Sequence, residues 1–134
     1  MGSAAPPPTV LLVEDEQLIS QLVAHWLSGR GFAVREAATG DEALAYLGAG
    51  GEADVLFTDV NLPGGIDGTE LAQRVRQMRP DLPIVYASGR YGYSDLGRLV
   101  SRSMFVPKPY DPADVCTLLE RLTATTYWRS GLPG

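Results

Sequence analysis

A chain of 134 residues, 45% hydrophobic and 20% charged, has the size and make-up of one domain with a packed core. Its net charge of −5 and lack of a basic cluster argue against nucleic acid as a direct partner, and no apolar run approaches the length of a membrane span. Met1–Pro8 lacks the positive charge and apolar stretch of a secretory signal, and the lone Cys116 fits a reducing compartment, so the expectation is a soluble, cytoplasmic monomer or weak homodimer.

In chain order, Pro6-Pro7-Pro8 reads as an extended leader. Thr9–Val13 is a short continuous apolar run, the pattern of a strand buried on both faces. Leu18, Ile19, Leu22, Val23, Trp26 and Leu27 then recur at helical spacing and predict one apolar stripe, stopped by Gly29 and Gly31. Phe32–Glu36 is the second predicted strand. Thr39-Gly40-Asp41-Glu42 is a capping box for a helix carrying Ala43, Leu44 and Leu47. Asp54–Thr58 is the third strand, and Asn61-Leu62-Pro63-Gly64-Gly65 breaks either period and predicts a loop. Leu71, Val75 and Met78 mark a third helix that Pro80 closes. Pro83–Ala87 is the fourth strand. Ser94 caps a short fourth helix through Leu96, Leu99 and Val100, weakened by Gly92 and Gly97. Met104–Val106 is a fifth strand. Asp111-Pro112 starts a last helix with Val115, Leu118, Leu119 and Leu122 on one face, and a tail is expected from Thr125.

Strand and helix alternate five times, which predicts an α/β fold: a five-stranded, doubly wound parallel sheet with helices on both faces. In such a sheet the ligand crevice lies at the C-terminal ends of the strands. Glu14 and Asp15 follow the first apolar run, Asp59 ends the third, and Lys108 follows the fifth. An acidic pair at one strand end is commonly no more than a solvated edge. Three carboxylates and an ammonium, gathered from three separate strand ends, predict a Mg²⁺ site with a nucleophilic aspartate.

The ordered set of motifs is highly specific. Val10–Glu16, Ala38–Leu44, Asp54–Asp59 with Asn61-Leu62-Pro63 and Asp67-Gly68, Pro83–Ser88, and Val106–Tyr110 together resemble the response regulator receiver domain, over about residues 9–123. The resemblance implies a flavodoxin-like (βα)5 fold with strand order 2-1-3-4-5. It divides the chain into a leader (1–8), a receiver domain (9–124) and a C-terminal tail (125–134).

The resemblance also implies roles. Asp59 is the expected phosphoacceptor, taking a phosphoryl group from the phosphohistidine of a histidine kinase or phosphotransfer protein. Asp15, Glu14, Asp59 and the backbone carbonyl of Asn61 would hold Mg²⁺. Ser88 and Lys108 would each meet a phosphoryl oxygen. Ser88 with Phe105 forms the implied switch, acting on a downstream protein through the face of the fourth helix, fifth strand and fifth helix. A cis peptide is implied at Lys108-Pro109, turning the ammonium back to Asp59. The chain would catalyse only its own phosphorylation and dephosphorylation. With no room after residue 124 for an output domain, a stand-alone receiver is expected.

Some residues depart from the pattern or stay open. The loop from Leu62 to Gly68 is one residue longer than the commonest family form, and Phe105 lacks the hydroxyl of a tyrosine. Gly89 loosens the backbone after Ser88, Arg90 reads as a solvated side chain, and Tyr91 and Tyr93 suggest a mobile aromatic output face. His25 reads as a surface histidine, and Trp26 and Cys116 as packing residues. Tyr127 and Trp128 dock the tail or meet a partner. A haloacid dehalogenase-type phosphohydrolase is disfavoured because Asp59-Val60-Asn61 lacks that class's second aspartate, and a phosphorylation-independent adaptor is disfavoured by the complete acidic–Asp–Ser–Lys set.

Overall fold

Short runs of aliphatic residues pair into one sheet, and amphipathic helices cover both of its faces. The computed structural model describes residues 6–89 and 99–131, with residues 125–131 as backbone alone. The strands are β1 (Thr9–Val13), β2 (Ala33–Ala37), β3 (Val55–Asp59), β4 (Ile84–Ser88) and β5 (Ser103–Pro107). The helices are α1 (Gln17–Gly29), α2 (Gly40–Gly48), α3 (Gly68–Met78) and α4 (Pro112–Gly131). The expected helix capped by Ser94 falls largely on residues 90–98, outside the described residues, as do Arg90, Tyr91 and Tyr93. Leu99 and Val100, assigned to its end, are not helical. The helix numbered α4 is therefore the last one in the chain.

The sheet order is β2-β1-β3-β4-β5, with every neighbouring pair parallel, as the alternation of elements requires. The two-residue pleat sorts the core into two halves. Leu11, Val13, Leu56, Ile84 and Tyr86 face Ala43 and Leu47 of α2 and Leu71, Ala72 and Val75 of α3. Val10, Leu12, Val55, Phe57, Val85 and Ala87 face Val23 and Leu27 of α1 and Val115, Cys116 and Leu119 of α4. Central strands β3 and β4 are buried at every position, which is why their sequences read as unbroken apolar runs.

Three strands lie one residue later than hydrophobicity predicts: β2, β3 and β4 extend to Ala37, Asp59 and Ser88. Backbone pairing is indifferent to side-chain polarity. The ladder bonds Glu14 N–H to Ala37 O (3.0 Å), Val60 N–H to Ala87 O (2.9 Å) and Lys108 N–H to Ser88 O (2.9 Å) continue the pairing at the C-terminal ends of the strands, past the last apolar residue of β3 and β4. Polar side chains at the strand tips are thereby held by the sheet itself.

The α1 stripe needs correction. Its buried residues are Ser20, Val23 and Leu27, whereas Leu18, Leu22 and Trp26 are 82%, 51% and 40% exposed. Trp26 is therefore not a core residue. Six apolar positions span a wider arc than the sheet can cover, and Ser20 enters the buried side because its hydroxyl donates to Glu36 Oε1 at 2.7 Å. The predicted caps form. Thr39 Oγ1 accepts from Glu42 N–H (3.1 Å) while Glu42 Oε1 accepts from Ala38 N–H (2.8 Å), and Asp111 Oδ1 accepts from Ala113 N–H (2.9 Å). The backbone of α4 stays helical to Gly131, beyond the expected tail boundary at Thr125, since no Pro or Gly intervenes before that residue. Cys116 is buried and free, and His25 is exposed.

Candidate functional site

The charged residues at the strand tips converge. Glu14 follows β1 and is buried, and the neighbouring Asp15 is exposed. Asp59 closes β3 and is buried. One carboxylate oxygen from each of these three lies within 4.8 Å of the others. Lys108 follows β5, with its Nζ 2.9 Å from Asp59 Oδ2 and 3.5 Å from Glu14 Oε1. Ser88, buried at the tip of β4, stands one residue beyond Ala87, the partner of Asp59 in the β3–β4 register. Asn61 is exposed, and its amide donates to Asp59 Oδ1 at 3.3 Å, which keeps its backbone at the rim of the site. The Lys108–Pro109 peptide is cis.

The electrostatics follow from burial and crowding. Desolvation raises the Glu14 carboxyl above its usual range; the Glu16 amide, donating at 3.0 Å, and Lys108 oppose that rise, while the Asp59 and Asp15 charges add to it. Burial alone would lower the Lys108 ammonium, but its hydrogen bond to Asp59 and the charges of Asp59 and Glu14 outweigh this and raise it. Tyr110 is a neighbour that sequence reasoning did not assign. Burial, and then the Glu14 charge, push its phenol up to about 12, and its ring meets Phe57 edge-on at 5.6 Å. Its signal in the sequence was an aromatic residue next to the Lys108-Pro109 turn.

The donor set fits a hard divalent cation. Glu14, Asp15 and Asp59 present only oxygen, as Mg²⁺ demands, and their three negative charges exceed the single ammonium facing them. The pocket sets a buried carboxylate, Asp59, directly against an ammonium and beside two further carboxylates. Phe105 is half-buried, paired with Tyr86 in the β4–β5 register and packed on the α2–α3 side of the sheet with Leu99 and Val100.

The model of the response regulator receiver domain matches residues 10–120. The chain belongs to this family. Receiver domains are signalling domains of two-component systems, and this one carries their acidic pocket. The chain is 35% identical over 118 residues to the sensor kinase CckA of Brucella abortus, covering 85% of this chain and 12% of the kinase. It is 36% identical over 124 residues to the transcriptional regulatory protein CreB of Escherichia coli, covering 85% of this chain and 52% of CreB. The chain therefore spans about half or less of the length of these curated relatives. Its fold is shared with the response regulator protein TrrA of Thermotoga maritima, solved in complex with Mg²⁺–BeF, at a TM-score of 0.75 and 26% identity over 86% of this chain and 98% of that one. Among the described residues no helix is long and apolar enough to cross a membrane.

Proposed function

We propose that this receiver domain is a Mg²⁺-dependent phosphoacceptor, with Asp59 as the residue that receives the phosphoryl group. The observation that carries this reading is the Lys108 ammonium 2.9 Å from Asp59 Oδ2 beside carboxylate oxygens clustered within 4.8 Å. An Asp59 oxygen attacks phosphorus in the phosphohistidine of a histidine kinase or phosphotransfer protein. The P–N bond breaks, the imidazole keeps the electron pair and takes up a proton, and an acyl phosphate forms. Water later attacks the phosphorus, returning the carboxylate and inorganic phosphate. Bound through Glu14, Asp15, Asp59 and the Asn61 carbonyl, Mg²⁺ would supply positive charge to the phosphoryl oxygens.

The remaining steps belong to the chain. Lys108 exchanges its bond to Asp59 for one to a phosphoryl oxygen, and the Ser88 hydroxyl meets another. Movement of Ser88 opens room for Phe105 to turn inward, which alters the surface formed by β5, α4 and the segment leading into β5. A downstream protein reads that surface. The domain has no turnover on a separate substrate, and it works in the cytoplasm.

The test is binding of beryllofluoride, which stands in for the phosphoryl group, followed by calorimetry. Binding that needs Mg²⁺ and disappears in Asp59→Asn supports the reading. Equal binding with and without Mg²⁺, or to the variant, contradicts it.

A further inference from the structure

The loop between β3 and α3 is anchored by two buried side chains. Leu62 and Ile66 both turn inward and join the core with Ala37, Ala43, Leu47 and Leu71. Between them Pro63, Gly64 and Gly65 are exposed, with Gly64 at φ 71°. The loop closes where Gly68 N–H donates to Val60 O at 2.8 Å. Ile66 lies across the first turn of α2. A Cβ added at Gly40 would stand 2.6 Å from Ile66 Cγ1, 3.0 Å from its Cδ1 and 3.3 Å from its backbone oxygen.

Nothing in its own backbone requires glycine at position 40. It has no positive φ, and it opens a helix in which alanine is the better former. The missing side chain is explained by the space Ile66 occupies. Ile66 is β-branched, stiff at χ1 and backed by the core, so it cannot swing aside alone. A methyl group at position 40 meets the Ile66 side chain and presses on its backbone oxygen, and five residues upstream in the same loop is Asn61, whose amide holds Asp59 Oδ1 at 3.3 Å.

We infer that Gly40 and Ile66 form a latch that positions the Asn61 backbone, and thereby sets the affinity of the acidic pocket for a divalent cation. They are positioning residues and touch no ligand. This inference rests on the reading of Asn61 as a ligand-bearing residue.

The experiment is calorimetric titration of the full chain with Mg²⁺ alone. Gly40→Ala should raise the Mg²⁺ dissociation constant about tenfold, the lower end of what outer-shell changes cost. It should also speed amide exchange across residues 61–66 in the absence of metal. Gly48→Ala, in the same helix but with open space around the added methyl, is the control and should leave Mg²⁺ affinity unchanged. Ile66→Ala should also weaken binding by releasing the anchor, and the pair Gly40→Ala with Ile66→Ala should bind better than either single variant, because the added methyl enters the vacated space. That rescue keeps the proposal falsifiable if Gly40→Ala alone folds poorly. Equal affinity in wild type and Gly40→Ala, equal losses at Gly40 and Gly48, or no rescue in the pair would overturn the latch. A wild-type chain that fails to bind Mg²⁺ would overturn the reading of the pocket itself.

Discussion

The two ends of the sheet handle polar groups in opposite ways. At the N-terminal ends of the strands, side chains saturate backbone. Thr9 N–H donates to Asp54 Oδ2 at 2.7 Å, Arg76 donates to Leu82 O and Ser101 O at 2.6 Å each, and Arg79 donates to Gly51 O at 2.9 Å. At the C-terminal ends, Glu14, Asp15 and Asp59 face one another with Lys108 as the ammonium among them. Among the described residues, three carboxylates stand against one cation there. One end pairs its polar groups with backbone of the same chain, while the other gathers like charges that a cation would offset.

Variants at the two ends should therefore separate function from stability. The largest effect belongs to Lys108→Ala, which leaves the carboxylates without their counter-charge. Phosphorylation by a small phosphodonor should slow by about a hundredfold or more, as when one donor to a developing anion is lost. Melting temperature should also fall, and Mg²⁺ should recover much of that loss. Unchanged phosphorylation would break the contrast between the ends. Arg76→Ala, at the other end, should cost about 2 kcal/mol in urea unfolding by stranding the carbonyls of Leu82 and Ser101, with no change in Mg²⁺ affinity.

A pH series sharpens the comparison. Burial raises the Glu14 carboxyl when the chain folds, so the folded state holds this proton more tightly than the unfolded one. Its ionisation thus subtracts from stability as pH rises from the ordinary carboxylate range through the raised folded value, and the cost persists at neutral pH. Glu14→Gln should be more stable than wild type at neutral pH without metal and lose that advantage in acid. Stabilisation by Mg²⁺ should shrink in wild type as pH falls through the same window, because protons and cation compete for the carboxylate. Thermal melts with and without Mg²⁺ across that range are the check. The smallest expected effect is at Leu18. Leu18→Gln should change stability by no more than about 0.5 kcal/mol, whereas Leu27→Ala should cost about 2–5 kcal/mol, measured in the same unfolding assay.

The strand-tip residues were readable because each sits against an apolar run: Glu14 after Val13, Asp59 after Thr58, and Lys108 just past Val106. Alternation of elements then fixed which edge those tips share. The buried side of α1 was not readable, since Leu18, Leu22 and Trp26 match the helical period as well as Val23 and Leu27 do. Tertiary packing of Val23 and Leu27 on the sheet, with the hydrogen bond from Ser20 to Glu36, accompanies the rotation that helix adopts. The helical backbone after Thr125 was hidden by threonines, whose weak helix preference resembles a loop. The fit of Ile66 over Gly40 joins residues whose meeting depends on tertiary packing, which no local period encodes.

The most direct measurement of the central claim is intact mass after incubation with acetyl phosphate, with and without Mg²⁺, beside Asp59→Asn. The account predicts one added phosphoryl group that requires Mg²⁺ and is absent from the variant. An adduct that persists in Asp59→Asn, or that forms equally well without Mg²⁺, would contradict it.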